Sequence, residues 1–431
     1  MKQGTLTALL VLVGMSASTL TAADSTLRYD NFVYEKDIRS VKLTQAESGF
    51  NFPIITLGSN EQLLLEFDQL RSEMDYFQYT LIHCNAAWEA SALQKTQYLD
   101  GLGYENFPNP EFSTGTLMQY THYSANIPSA AAYPKVSGNY LLLVYRNYEE
   151  KDIVLTRRIM VLDSKGAVEM NVQQSMQVDL RATHQEVDFN FILSSNYYIP
   201  NPYTDMKTVI LRNADWSSAI PDLKPQFISG TTYNFQYQTG NQLQGLNEFR
   251  FFDIRSFRMS TANVKTRFNV ANQKHVTLIA EQTRRFDRYM NWSDYNGRFL
   301  IDNRDMPLPG GARSESDYCF VHFTLRSDEL KGKKVYIYGE LSDWRVQEDF
   351  EAFYNPESGS YEAIIPLKQA YYNYQYVVVD DATGERDDAY FEGSHGTTEN
   401  NYMVLVYHKN LNLGYDELIG YGLQNSRPTG N

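Results

Sequence analysis

Ser137-Gly138-Asn139-Tyr140-Leu141-Leu142-Leu143-Val144-Tyr145 is followed, after a polar turn, by Val154-Leu155-Thr156-Arg157-Arg158-Ile159-Met160-Val161. Both runs are rich in branched and aromatic residues and are bounded by turn formers, the composition of paired strands. A Gly-x-Tyr-x-Leu-x-Val strand, a hairpin and a last strand is how many immunoglobulin-like domains close. That pattern makes Tyr140 a candidate corner tyrosine, its ring packed and its hydroxyl bonded to backbone.

The same signature extends in both directions. Upstream lie Ile38-Arg39-Ser40-Val41-Lys42-Leu43, Pro53-Ile54-Ile55-Thr56-Leu57 and Leu63-Leu64-Leu65-Glu66-Phe67-Asp68. Period-2 alternation of Val, Ile, Tyr, Phe and Thr, broken by Gly, Pro, Asn and Asp, marks antiparallel sandwiches. Helical periodicity is confined to short pieces such as Pro221-Asp222-Leu223-Lys224, and nothing supports βαβ units. The fold class expected is all-β, with tandem immunoglobulin-like and early-set sandwiches. The expected division is 24–163 for a first sandwich, 164–285 for a second, 286–315 for a polar bridge, 316–410 for an early-set unit resembling glycogen-binding modules, and 411–431 for a tail. The early-set reading rests on Lys334-Val335-Tyr336-Ile337-Tyr338-Gly339-Glu340-Leu341-Ser342-Asp343-Trp344 and the hairpin of Tyr361–Leu367 and Tyr374–Asp380. The stretch 88–135 is less regular and reads as an excursion from the first sandwich.

Residues 1–23 read as a cleaved signal peptide: Lys2, the apolar run Leu6–Val13, then Thr21-Ala22-Ala23 before Asp24. The run is too short for a membrane span, which needs about 18 apolar residues. Cleavage removes Lys2 and takes the net charge from −14 to −15.

The chain has 431 residues, 38 Lys and Arg against 52 Asp and Glu, 42% hydrophobic residues, 23 Phe and 33 Tyr. An apolar share of that size builds real cores and excludes a disordered chain. The acidic balance argues against nucleic acid, whose phosphates need a basic face, and against anionic lipid. The two cysteines, Cys84 and Cys319, lie in apolar strand-like runs of different expected units, so buried free thiols are expected rather than a disulfide.

His184, Glu186 and Asp188 share one strand face, and a histidine with two carboxylates is able to bind a metal or share a proton. The residues favour a polar strand face instead, because no second element completes the set. Asp253 and Arg255 sit among Phe249, Phe251 and Phe257, where charge must be paired, and they are expected to bond each other or nearby backbone. Trp344 and the run Tyr371, Tyr372, Tyr374 and Tyr376 invite a sugar-stacking reading against a packing one. The seven histidines show no metal spacing, and there is no GxSxG or Walker A run. No catalytic, cofactor-binding or metal-ligating residue is therefore assigned, and no cofactor is implied.

Several runs then combine in a specific order. They are His83-Cys84-Asn85-Ala86-Ala87-Trp88, Tyr120-Thr121-His122-Tyr123, Ser137-Gly138-Asn139-Tyr140, Thr156-Arg157-Arg158, His184-Gln185-Glu186-Val187-Asp188-Phe189, Asn247–Ser256 and Tyr415-Asp416-Glu417-Leu418-Ile419-Gly420-Tyr421. Together they resemble the type IX secretion system plug protein family of Bacteroidota over about residues 30–421. Cys84-Asn85 stands where Cys-Asp is usual, and Arg212-Asn213-Ala214-Asp215-Trp216 where a Gln-Asn-Gly-Arg-Trp run is usual. The resemblance implies a non-enzymatic periplasmic protein that binds the giant outer-membrane β-barrel translocon and seals its periplasmic mouth when no substrate is in transit. It implies a monomer within a hetero-complex, with no membrane insertion of its own, and it carries over no named contact residues. The excursion at 88–135 and the tail at 411–421 are the candidate contact segments. The alternative is a periplasmic or surface glycan-binding accessory acting through the early-set unit.

Overall fold

The computed structural model describes residues 26–45, 52–71, 74–306 and 312–427, so the expected signal peptide at 1–23 lies outside the described residues. The chain is all-β: its α-helices among the described residues are single turns, Lys95–Tyr98, Pro202–Asp205 and Ala312–Glu315. The helical piece expected at Pro221–Lys224 does not form. Asp215–Pro221 is a strand, and the chain turns out of it at Asp222 with a left-handed φ of 61°.

Gly138–Arg146 lies inside a six-stranded sheet, antiparallel to Phe77–Cys84 on one side and Glu149–Leu162 on the other. A four-stranded sheet of Ile38–Gln45, Leu63–Gln69, Thr121–Ile127 and Glu111–Phe112 closes the first sandwich over it. Tyr140, Leu142 and Val144 enter the core between these sheets with Leu63, Leu65 and Phe67. The Tyr140 hydroxyl donates to the Val136 carbonyl at 2.8 Å, which is the expected tyrosine corner. Thr121–Ile127 is a full strand of this sandwich, so the irregular excursion ends before it, at about residue 120.

The second sandwich packs the sheet containing Gly166–Gln174, His184–Leu193 and Thr232–Phe235 on a sheet ordered Asp215–Pro221, Met206–Arg212, Asn401–Lys409, Asp416–Asn425. The strand grouping here departs from the expected boundaries. Within the stretch expected as a tail, Asp416–Asn425 is a sheet strand with Leu418 and Ile419 buried. Asn401–Lys409 belongs to the second sandwich rather than to the early-set unit. Conversely Arg250–Asp253, Val264–Val270 and Gln273–Leu278, expected in the second sandwich, join an eleven-stranded sheet wrapped around the third core, and Phe299–Ile301 from the expected bridge joins it too.

The third unit is therefore inserted into the second. The chain leaves the second sandwich after Gln242–Gln244 and returns to it at Asn401. The pairing that closes the second sandwich, Ile210↔Val404, joins segments that no local period connects. Closing so long a loop adds little entropy cost because that cost rises only logarithmically with length. Tyr372 repeats the corner device in the inserted unit, its hydroxyl donating to the Lys368 carbonyl at 2.8 Å.

Candidate functional site

The sequence candidates for chemistry resolve into structural pairs. On His184–Leu193, the inward residues are Val187, Phe189 and Phe191, which leaves His184, Glu186 and Asp188 on the opposite face. Their partners diverge. Glu186 accepts from the Gln173 amide at 3.0 Å and the Met176 backbone at 2.8 Å, Asp188 from the Asn241 amide at 2.9 Å, and His184 Nδ1 meets the Thr183 hydroxyl at 2.8 Å. Burial lowers the His184 imidazole below its usual range, with Arg212 adding to the shift, so the ring is neutral.

Asp253 and Arg255 form a two-pronged pair, Nε to Oδ1 at 3.0 Å and Nη2 to Oδ2 at 2.7 Å. Burial raises the Asp253 carboxyl, but the Arg255 bonds outweigh it and hold the group below its usual value. The core side of this strand is Phe252 and Ile254, so the pair lies on the outer face, where Phe251 stacks on Tyr371.

Trp344 is packed edge-on between Tyr338 and Phe249, at centroid distances of 5.7 and 6.0 Å. Its ring lies against Gly297, where a Cβ would come within 2.3 Å of Cη2; glycine is needed for that approach. Tyr372, Tyr374 and Tyr376 point into the third core, and Tyr371 points out. The three inward rings offer no open flat face on which a sugar stacks, and Trp344 and Tyr371 are half-buried. Cys84 and Cys319 are free and buried.

What the fold does bring together is three junctions. The outer face of the six-stranded sheet carries Leu141, Met160, Cys84 and Trp88, and these pack on Leu211 and Leu405 of the second sandwich. That junction is apolar. Gly138–Arg146 is thus buried on both faces, which is why its sequence is a nearly continuous apolar run rather than an alternating one.

The junction between the first sandwich and the inserted unit is ionic. Asp68 accepts from Lys368 Nζ at 2.6 Å, from the Tyr318 hydroxyl at 2.6 Å and from His122 Nδ1 at 2.7 Å. Lys368 also donates to the Arg313 carbonyl at 2.6 Å, and its ammonium lies 4.3 Å from the Tyr120 ring centre. Burial alone would raise the Asp68 carboxyl; the Lys368 charge and the His122 bond outweigh it and hold the group below its ordinary value. Nearby, Lys42 reaches Glu340 at 2.6 Å and Arg157 reaches Asp343 at 2.9 Å.

At the third junction, the Tyr338 hydroxyl donates to Asp215 at 3.0 Å, and Arg386 bonds both residues. Within the inserted unit, Glu392 accepts from Arg250 at 2.9 Å and is gripped by Arg284 as well. Burial opposes ionisation there, yet the two guanidiniums hold the carboxyl down to about 2. Sequence reasoning missed Asp68, Lys368 and Glu392. The one available signal was a charge of each sign directly after an apolar residue in a strand-like run (Phe67-Asp68 and Leu367-Lys368), with the partners in different expected units.

Of the excursion, Phe107, Pro108 and Pro110 line a groove at the tip of the first sandwich with Met74, and Tyr76 and Tyr148 stand out at its rim, 65% and 62% exposed. Elsewhere in the excursion Leu102, Phe112 and Leu117 are exposed as well. The other expected contact segment, 411–421, is divided: residues 411–414 are exposed, and Tyr415, Asp416 and residues 418–420 are buried.

Fold and junctions define a class: an all-β body of three sandwich units, locked to one another by buried contacts and presenting aromatic rims. The comparisons specify the class further. Residues 38–163 match the family described as type 9 secretion system plug protein 1st domain. The chain is also similar to the crystal structure of a hypothetical protein from Parabacteroides merdae, at 30% identity and a TM-score of 0.88, covering 93% of this chain and 100% of that one. No curated protein matches it. The chain belongs to the type 9 secretion system plug protein family. Membership points to a non-catalytic component of the secretion machinery, associated with the cell envelope.

Proposed function

We propose that this protein is a non-enzymatic periplasmic plug. It binds the giant outer-membrane β-barrel translocon of the type IX secretion system and seals the barrel's periplasmic opening while no substrate is exported. The observation that carries the reading, beyond family membership, is that every junction between units has a buried contact: one by apolar packing, two by charge-assisted hydrogen bonds, at Asp68–Lys368 and at Asp215 with Tyr338 and Arg386. A wide pore is closed only by an object that does not deform, and a body with three locked junctions has no free hinge. Release and rebinding call for an interface of ordinary size that mixes polar and aromatic groups. Exposed tyrosines such as Tyr76 and Tyr148 supply contact area at low entropic cost.

The test is a pull-down of the tagged protein from detergent-solubilised envelopes, paired with uptake of a large antibiotic in a deletion strain. Recovery of one very large barrel is expected, together with leakiness that disappears when the barrel gene is also deleted. Unchanged antibiotic uptake in the single deletion would refute the sealing role. Recovery of no membrane partner would refute the association.

A further inference from the structure

The two chain crossings that connect the inserted unit to the second sandwich run side by side. The outgoing crossing carries Glu248, the returning one Glu399, and Asp294 reaches them from the segment between. One carboxylate oxygen from each lies within 4.8 Å of the other two. This is a span that a single ion with bonds of about 2.4 Å to oxygen is able to bridge.

These carboxylates differ sharply from the acid next to them. Glu392, on the same returning crossing, is held by two guanidiniums. Among the described residues, no lysine, arginine or histidine ion pair reaches Glu248, Asp294 or Glu399. Their partners are neutral. Tyr289 bonds Glu248, which also accepts from the Glu399 backbone at 3.2 Å. Asp294 accepts from the backbones of Phe249 and Asn296 at 2.6 Å each, and Asn425 and the Asn296 amide bond Glu399.

Two further acceptors at the same place have no partner at all. Glu248 is 1% exposed and its Oε2 is buried without a donor. Asn296 is 5% exposed, its amide lies 3.2 Å from both Glu399 oxygens, and its Oδ1 is likewise buried and orphaned. Buried acceptors without donors are rare because each costs its full desolvation penalty. Here they accompany three carboxylates with no direct ion pair among the described residues; Arg427 acts on Glu248 only at longer range.

We propose that Glu248, Asp294 and Glu399, with the Asn296 side-chain oxygen, form a binding site for a divalent cation of the calcium type. The donors are all hard oxygens, which excludes soft thiophilic metals by preference. They come from three separate loops, an irregular set that suits the flexible coordination of calcium better than the strict octahedron of magnesium. The ion staples outgoing crossing, returning crossing and intervening segment together, and so fixes the inserted unit on the second sandwich.

The inference does not depend on the plug reading and is tested on the isolated full chain without its leader. Calcium chloride is titrated by calorimetry, and terbium chloride is titrated with luminescence excited through Tyr289 and Trp292. Thermal unfolding is followed with calcium and with chelator. Binding of one ion per chain is expected, in the range of about 10⁻⁴–10⁻³ M found for extracellular calcium modules. Terbium emission should be sensitised, and the unfolding midpoint should rise with calcium. Glu248→Gln keeps the shape and the Tyr289 bond but removes a charge. It should weaken binding at least about tenfold while unfolding no earlier than wild type in chelator, since repulsion is relieved. A purely structural role for Glu248 predicts the opposite, earlier unfolding with and without metal. A folded wild type that shows no heat and no midpoint shift at millimolar calcium overturns the proposal. So does a Glu248→Gln variant that binds calcium as wild type does.

Discussion

Lys368→Met tests the ionic junction between the first sandwich and the inserted unit. The Lys368 ammonium and the Asp68 carboxylate are 2.6 Å apart, and both side chains are 1% exposed. Methionine keeps most of the volume and the apolar stem but removes the charge. Asp68 then retains only the Tyr318 hydroxyl and His122, and the Arg313 carbonyl keeps only the longer bond from the Tyr120 hydroxyl. Removing one partner of a buried pair leaves an uncompensated charge and costs about 3–5 kcal/mol. Against a total stability of about 5–15 kcal/mol, that is a large fraction. Adding Asp68→Asn to the same chain removes the stranded charge and should restore a good part of the loss. Urea unfolding followed by tryptophan fluorescence reads both effects. A loss below about 1 kcal/mol for Lys368→Met, or a double variant no more stable than the single, would refute the reasoning.

The same cluster fixes the sign of the pH dependence. Asp68 has a depressed carboxyl, so its contribution is present above the unfolded value of about 3.9 and is lost as pH falls through the lower folded value. His122 is lowered by burial, but its bonds to Asp68 and Glu66 outweigh this and leave it raised. Its contribution is full below about 6.5 and is lost as pH rises through the folded value. The junction should therefore be most stable between about pH 4 and 6.5, and the loss caused by Lys368→Met should shrink as pH falls and the stranded Asp68 carboxyl takes up a proton.

Leu405 is fully buried in the apolar junction between the first and second sandwiches. Leu405→Ala should cost about 2–5 kcal/mol, read as a lowered unfolding midpoint; a cost near zero would mean that this contact does not hold the units together. Burial pushes the Cys84 thiol up to about 12 and raises Cys319 as well. Neither should react with a thiol reagent at pH 8 in the native protein, and two equivalents should react in denaturant. One fast native equivalent would contradict the burial of these strands.

The all-β class was legible because alternation and turn residues are local properties. So was the Tyr140 corner, whose partner Val136 is four residues upstream. The pairing of Asp253 with Arg255 was legible for the same reason, since both lie on one strand face. The insertion of the third unit was not, because it is specified by Met206–Arg212 pairing with Asn401–Lys409, and nothing local to either strand names the other. The acid cluster was hidden likewise: Glu248, Asp294 and Glu399 are isolated carboxylates until the two crossings lie together.

Burial on both faces nonetheless leaves a mark that alternation alone misreads. In Tyr402-Met403-Val404-Leu405-Val406-Tyr407 the even residues enter the second core and the odd ones face the first sandwich, so a strand near the end of the chain is apolar throughout. A run of that kind cannot belong to a solvent-facing edge, and it was the available sign that the segment closes a layered body. The ionic face gives no such sign. Leu63, Leu65 and Phe67 point into the first core, which assigns Glu66 and Asp68 to the outside, and in most sandwiches outside means water. Here the outside of one sheet is the floor of the next unit. An apolar junction announces itself in composition, whereas a charged one looks like surface until its counter-charge is found. Lys368 lies 300 residues from Asp68, and only the assembled fold brings the two together.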